Sequence, residues 1–111
     1  MGYYTYYTID MVGNLPEDAQ KIYDFAKEKD MDFTDGFSVS QYGFDTKNTM
    51  KWYDHETEMR KISKEFPHIL FELHGEGEES GDIWDEYYKA GKMQRCDAEI
   101  VIPPFDESKM T

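Results

Sequence analysis

The stretch HILFELHGEGEESGDIWDEYYKAGKMQRCDAEIVI, residues 68–102, decides the fold. Its first seven residues (68–74) alternate apolar and polar side chains, which is the period of a half-buried β-strand. DIWDEYYK (82–89) predicts a second strand, and Ala90-Gly91 predicts a tight turn into a third, MQRCDAEIVI (93–102). The stretch therefore predicts a three-stranded antiparallel meander. The inward-facing residues of the last strand are predicted to be Cys96, Ala98 and Ile100.

The residues before the meander predict two helices and further strands. YYTYYTIDMVG (3–13) is rich in aromatic and β-branched residues, which favours a strand. NLPEDAQKIYDFAKEKD (14–30) has helix-start residues followed by apolar residues at helical spacing. Residues 54–67 show a second helical stripe, which begins at an N-cap aspartate and ends before a proline. Shorter strands are predicted near 37–44 and over 50–53.

This order of elements predicts an α+β fold. We expect an antiparallel sheet with two helices on one face, of ferredoxin-like or split-βαβ character, with a C-terminal β-meander. Residues 1–105 are predicted to form a single domain, and residues 106–111 a flexible tail. Alternation along the first strand predicts an aromatic face turned away from the helices, formed by Tyr4 and Tyr6.

Composition narrows the classes of function. The 111 residues carry 12 Lys and Arg against 24 Asp and Glu, a formal net charge of -12. Such acidity disfavours direct binding to nucleic acid or to an anionic membrane, and it favours basic partners or cations. The lone cysteine excludes an intramolecular disulfide and a cysteine-based zinc site. Without an apolar span or a secretory signal, a cytoplasmic protein is expected.

The most acidic part of the chain is the turn inside the meander, over residues 75–81. Its glycine spacing and its carboxylates do not suit a phosphate loop, which would precede a helix. Calcium would find oxygens there, but the spacing of a calcium loop is absent. Two interpretations remain, a solvated turn and an acidic surface for a basic partner. His55, His68 and His74 are too scattered to predict a zinc site, so no metal and no cofactor is predicted.

No catalytic constellation stands out in the sequence, so no enzyme class is predicted. Acids around Asp54 are explained by their place at a helix start. Exposed rings on a sheet are also typical of RNA-binding platforms, but those platforms pair the rings with Lys and Arg. Exposure of Tyr4 and Tyr6, or of a bare edge strand, instead predicts a homodimer.

The run KWYDHETEMRKISKEFPHILFELHGEGEESGDIWDEYYKAGKMQ, residues 51–94, resembles small proteins encoded by tailed bacteriophages and mobile elements. In that group a WYDH segment, a short helix ending in FP, a GEGEE-x-GD-x-W turn and a final hairpin recur in this order. The run is also distantly similar to the ferredoxin-like domain of plasmid-borne YubB-type proteins. The resemblance implies no catalytic residues. It implies a phage context, in which small acidic proteins bind and block host machinery.

The sequence thus favours a non-enzymatic phage-type protein that blocks a basic surface on a host protein, such as a nucleic-acid-handling or antiviral defence factor. Carboxylates on a rigid sheet would occupy a groove meant for phosphates. The alternative is a protein that binds or sequesters a small ligand, either nucleotide-like or a divalent cation. The predicted partner-binding residues are Glu76, Glu78, Glu79, Asp82, Asp85 and Glu86, with Trp84 as their anchor.

Overall fold

The computed structural model describes residues 4–40, 43–46, 50–99 and 102–111. The elements are β1 (Thr5–Val12), α1 (Asp18–Glu28), α2 (Phe33–Gly36), β2 (Phe37–Ser40), β3 (Gly43–Thr46), α3 (His55–Glu65), β4 (Leu70–Gly77), β5 (Ile83–Lys89), β6 (Lys92–Asp97) and a short 3-10 helix (Glu107–Lys109). The middle of the strand predicted near 37–44, at residues 41–42, and the predicted inward position of Ile100 lie outside the described residues.

The main sheet has four strands in the order β1-β4-β5-β6, and each neighbouring pair is antiparallel. The predicted α+β class, the antiparallel sheet and the C-terminal meander are confirmed. β2 and β3 form a separate two-stranded sheet, which the sequence did not predict. The ferredoxin-like character lies in helices packed on one face of four strands. It does not extend to the strand order, because β1 pairs with β4 in an antiparallel manner at one edge.

The two faces of the main sheet differ in burial. Alternate residues of each strand point into one core that also contains the buried side chains of α1 and α3. Burial of each large apolar side chain stabilises the fold by about 1.5–3 kcal/mol. We call this side the inner face and the uncovered side the open face. The buried residues of the inner face on β1, β4 and β5 include Tyr7, Ile9, Phe71, Leu73, Trp84 and Tyr88.

A carboxylate on α3 connects this helix to the short helix α2. The side chain of Glu58 accepts hydrogen bonds from the backbone N–H groups of Phe33, at 2.9 Å, and Asp32, at 3.2 Å. These donors lie at the start of α2, where backbone N–H groups have no partner within the helix. Burial raises the pKa of the Glu58 carboxyl, and the two N–H groups oppose that rise. A helix so short depends on this contact more than on its own hydrogen bonds.

The prediction that Cys96 and Ala98 face inward is wrong. Cys96 is exposed, and it lies opposite Asp85 on the open face. Ala98 follows β6 and is exposed as well. β6 is the last strand of the sheet and is covered only in part, so its apolar-polar alternation does not report burial.

Residues 102–111 are exposed along their whole length, including the side chains of Ile102 and Phe105. The radius of gyration of 16.9 Å exceeds the roughly 13 Å expected for a compact domain of this length, as an extended terminal segment requires. Among the described residues, no helix combines the length and the apolar character needed to cross a membrane.

Gly75 is required by the ring of Trp84, which lies opposite it in the β4–β5 pairing. A Cβ atom on Gly75 would overlap the indole ring. We predict that Gly75→Ala lowers the free energy of unfolding by about 1–3 kcal/mol, the usual cost of overpacking a core. Urea denaturation measures this change. Glu76→Ala, one residue further on the open face, is the matched control and should change stability by less than about 0.5 kcal/mol. Equal effects of the two variants would contradict the packing of Trp84 on Gly75.

Candidate functional site

Strand alternation divides the predicted partner-binding residues between the two faces. Asp85 lies on the open face, but its neighbours Trp84 and Glu86 point into the core, where they are 6% and 1% exposed. The prediction that Trp84 and Glu86 belong to a binding surface is therefore wrong. The physical reason is the two-residue period of a strand, since adjacent residues cannot share a face.

Glu86 is the centre of a buried polar cluster. Its carboxylate accepts a hydrogen bond of 2.6 Å from the Tyr88 hydroxyl and one of 3.0 Å from the Arg95 guanidinium. The other cation is His55, whose Nε2 lies 3.0 Å from Glu86 Oε1. Burial would raise the pKa of the Glu86 carboxyl, but these partners outweigh burial and hold it below its ordinary value. The cluster therefore keeps a charged carboxylate inside the fold.

Acceptors on both sides of its ring favour the imidazolium form of His55. Nδ1 lies 3.2 Å from the Trp52 carbonyl oxygen, which can only accept, and Nε2 faces the Glu86 carboxylate. The Nε2 contact is an ion pair rather than an aligned hydrogen bond. Burial opposes the charge, yet Glu86 and the carbonyl raise the pKa of His55 above its ordinary value. The cluster is therefore an ion network that joins α3, β5 and β6 inside the fold.

The cluster also fixes Trp84. The His55 ring stacks on the Trp84 ring with centroids 5.3 Å apart and an interplanar angle of 24°. The Arg95 guanidinium lies over the same indole at 4.6 Å from the ring centroid. A cation over an indole face contributes roughly 0.5–2 kcal/mol. Trp84 is thus a core residue whose ring contacts both His55 and Arg95.

The open face carries carboxylates in the middle of the sheet. Asp10 on β1 lies directly opposite Glu72 on β4, and Glu72 lies opposite Tyr87 on β5. Like charges directly opposite each other across two strands are destabilising. Sequence reasoning missed Asp10 and Glu72, although their alternation with the buried Ile9 and Leu73 gives the face of each. The sequence did not predict that the two acids lie opposite each other, because the register depends on which strands pair.

His74 lies on the open face between two acids. Its Nδ1 is 2.6 Å from Asp85 Oδ1, and its Nε2 is 3.2 Å from Glu76 Oε1. The hydrogen bond to Asp85 raises the pKa of His74, partial burial opposes the rise, and Glu76 adds to it. The side chains of this region enclose a hollow of about 290 Å³. The hollow is lined by Thr8, Asp10, Glu72, His74, Asp85 and Tyr87.

The acidic turn joins β4 to β5 over residues 78–82, because β4 continues through Gly77. It is closed by a hydrogen bond of 2.8 Å from the Gly77 N–H to the Asp82 carbonyl. Gly81 has φ 85°, a conformation that favours glycine. Glu78 and Glu79 are exposed, and Glu78 accepts a hydrogen bond of 2.8 Å from the backbone N–H of Tyr4.

Tyr4 and Tyr6 lie on the side of the sheet away from the helices, as the alternation along the first strand predicts. Tyr4 is 45% and Tyr6 is 46% exposed. The Lys51 ammonium lies over the Tyr4 ring at 4.7 Å from its centroid. Together with the acidic turn they border a shallow hollow of about 490 Å³ that includes Glu76 and Glu78. The structure thus brings Tyr4 and Tyr6 next to the predicted acids.

Within the described ranges, no three His, Cys, Asp or Glu side chains are arranged to hold a metal ion. Comparison of the chain with family models, curated proteins and solved structures finds no significant match.

The histidine pairs predict how stability depends on pH. The pKa of His55 is higher in the folded chain than its ordinary value of about 6.5, and His74 shifts in the same direction. The folded state therefore binds more protons than the unfolded state above pH 6.5, so this stabilisation is complete below that pH and is lost as pH rises through the folded pKa. On the acid side, Glu86 adds stability that is lost as pH falls through its lowered pKa.

We predict that the free energy of unfolding, measured in urea at pH 6, 7, 8 and 9, decreases with pH. His55→Gln, which cannot titrate, should reduce that decrease and cost roughly 1–3 kcal/mol at pH 6, since the buried carboxylate loses one charged partner. Glu78→Gln, on the exposed turn, is the control and should leave the pH dependence as it is. An unchanged slope in His55→Gln would contradict the assignment of an imidazolium.

Proposed function

We propose that this chain is a non-enzymatic binding protein whose open face and acidic turn occupy a basic surface on a host protein. The observation that carries the proposal is the pair of Asp10 and Glu72, which face each other across β1 and β4 on the uncovered side of the sheet. The fold gains nothing from two carboxylates in this register. A cationic partner would relieve their repulsion. Locally unfavourable residues of this kind are expected at functional sites.

Further acids lie beside this pair on the open face and on the adjoining turn. Glu76 and Asp85 flank His74, and the turn adds Glu78 and Glu79 beside them. The carboxylates of Glu58 on α3 and Glu86 on β5, by contrast, are committed to internal contacts. We name as the acidic surface the group Asp10, Glu72, Glu76, Glu78, Glu79, Asp82 and Asp85.

The partner is inferred to be a protein with Lys and Arg on its surface. Exposed Tyr4 and Tyr6 beside the acids supply rigid aromatic area, which is common at protein interfaces. Direct binding to nucleic acid is disfavoured by the net charge of -12. Together with the resemblance of residues 51–94 to phage proteins, this supports a partner in the host cytoplasm whose groove normally binds phosphates, such as a nucleic-acid-handling or antiviral defence factor.

Charge reversal with matched net charge tests this proposal. In one variant Asp10, Glu72 and Glu76 are changed to Lys, and in the control Glu17, Asp24 and Glu28, all exposed around α1, are changed to Lys. Three Glu/Asp→Lys changes add six charges, so both variants go from -12 to -6. Host proteins captured by the immobilised wild type are identified, and their affinities for the three forms are measured at two salt concentrations. We expect the open-face variant to bind at least about a hundredfold more weakly, since it loses three charge contacts of roughly 1 kcal/mol each.

The same acids give a second readout that requires no partner. Asp10→Lys alone should stabilise the free chain by about 0.2–1 kcal/mol, because it converts a like-charge cross-strand pair into an opposite-charge pair. Greater stability together with weaker partner binding would support a surface kept for recognition. Equal loss of binding in the open-face and helix variants would show that only net charge matters, and that result would contradict the proposal.

A second candidate function rests on the hollow around His74. Its volume of about 290 Å³ is close to the lower limit of small-ligand sites. Tyr87 offers a ring, and the surrounding carboxylates would require a ligand that is cationic or bridged by a cation. The hollow supports the alternative of a small-ligand binder, whereas the described residues offer no group of three side chains arranged to hold a divalent cation directly.

A thermal-shift panel of nucleotides with and without Mg²⁺, of Ca²⁺ and of polyamines tests this candidate. A ligand present at a hundred times its Kd should stabilise the fold by about 2.7 kcal/mol. His74→Ala should abolish the ligand-induced rise in melting temperature. His68→Ala is the control and should retain it, because His68 precedes β4 and does not line the hollow. Unchanged melting temperatures across the panel would contradict the small-ligand function and leave the protein-binding function unaffected.

A further inference from the structure

β6 has an outer side with backbone groups that no described residue binds. The two-residue turn Ala90-Gly91 makes Lys89 and Lys92 a hydrogen-bonded pair, so every second residue from Lys92 onward directs its N–H and C=O groups toward β5. The hydrogen bond from the Ala98 N–H to the Ile83 carbonyl continues this pattern. The intervening residues of β6 direct their backbone groups away from the sheet. These are Met93, Arg95 and Asp97.

The charge of β6 differs from that of the rest of the sheet. Lys92, Arg95 and Asp97 give it a formal charge of +1, whereas the sequences of β1, β4 and β5 sum to -1, -2 and -1. In a chain with a net charge of -12, this edge is where another copy of the chain meets the least repulsion. The edge also lacks the proline and the bulges that block strand pairing in many proteins.

We propose that a second copy of this chain pairs with β6 in an antiparallel manner, about a two-fold axis at Cys96. The result is a continuous eight-stranded sheet with its helices on one side. Pairing of two copies through β6 goes beyond the proposed function, because no residue of the acidic surface lies on β6. Of the two predicted routes to a homodimer, it takes the edge strand and not the face with Tyr4 and Tyr6.

Charge favours an axis at Cys96 over the adjacent axes at Arg95 and Asp97. The residues whose backbone N–H and C=O groups point away from β5 form the hydrogen-bonded pairs of the dimer. An axis at Cys96 therefore sets Arg95 of each copy opposite Asp97 of the other. An axis at Arg95 or at Asp97 would set identical charges against each other, which is destabilising. The chosen axis leaves Cys96 opposite Cys96 of the second copy in a non-hydrogen-bonded pair. Such pairs have Cα atoms about 4.5 Å apart, within the range that a disulfide spans.

The direction of the chain supports the same arrangement. Antiparallel pairing directs the chain that follows β6 in one copy toward the Ala90-Gly91 turn of the other. There the open face has a mostly apolar hollow of about 400 Å³, lined by Leu70, Tyr87, Lys89, Ala90, Lys92, Met93 and Gln94. Ile102 and Phe105 are 85% and 79% exposed, and acids follow them at Asp106 and Glu107. An apolar segment followed by acids is complementary to an apolar hollow between two lysines.

Oxidative cross-linking tests the register directly, because Cys96 is the chain's one cysteine. With copper-phenanthroline at about 10 µM protein, we expect Cys96 to form a covalent dimer roughly a hundredfold faster than Ser80→Cys in a Cys96→Ser background, since a paired strand supplies a millimolar effective concentration. Ser80 is an exposed residue of the acidic turn. Cross-linking of Cys96 no faster than that of Ser80→Cys would overturn the proposed pairing.

Light scattering of the unoxidised protein completes the test. A dimeric mass is expected for the wild type, and a monomeric mass at every concentration and salt condition would overturn the proposal. Asp97→Lys, which faces Arg95 of the second copy, should weaken the dimer about tenfold, whereas Glu17→Lys on the far side of the fold should not. The proposal would also be overturned if Asp97→Lys left the dimer unchanged. The same holds if β6 paired with a strand of another protein and not with a second copy of this chain.

Discussion

The carboxylate of Glu86 is the constraint on which the arrangement of this fold depends. It is 1% exposed, and a buried charge left without partners costs several kcal/mol. Its partners come from three different elements, His55 at the start of α3, Arg95 on β6 and Tyr88 on β5 itself. Satisfying one carboxylate therefore fixes where α3 begins, attaches the edge strand to the core, and sets which side of β5 faces the helices.

Once Glu86 points inward, strand alternation determines the chemistry of the open face. Asp85 and Tyr87 must point outward, and the register of β4 on β5 brings His74 and Glu72 beside them. The inner face satisfies its charges in cis, through two cations on one carboxylate. On the open face, His74 contacts Asp85 and Glu76, whereas Asp10 and Glu72 lie directly opposite each other. The two faces therefore differ in charge as well as in burial.

The sequence predicted what depends on local periodicity. The helices, the meander, the outward position of Tyr4 and Tyr6 and the exposure of the acidic turn all follow from spacings within one segment. The sequence failed to predict positions whose surroundings depend on residues distant in sequence. Glu86 reads as one more surface acid until His55, distant in sequence, is known to face it. Trp84 reads as an exposed anchor because its stacking on that histidine is not local. Cys96 and α2 were missed for the same reason, since an edge position and a cap from α3 leave no periodic signal.

Separate surfaces for self-association and for partner binding have a consequence for affinity. An axis perpendicular to the sheet at β6 leaves both open faces on the same side of the proposed dimer, with the two acidic turns on opposite sides of the axis. Charges separated by more than the Debye length of about 8 Å at physiological salt repel each other weakly. A partner with two basic patches, or a repetitive one, would then contact both faces, and the second contact would be intramolecular. A small acidic chain with weak individual contacts can compete in this way for a groove built to bind a polymer of phosphates.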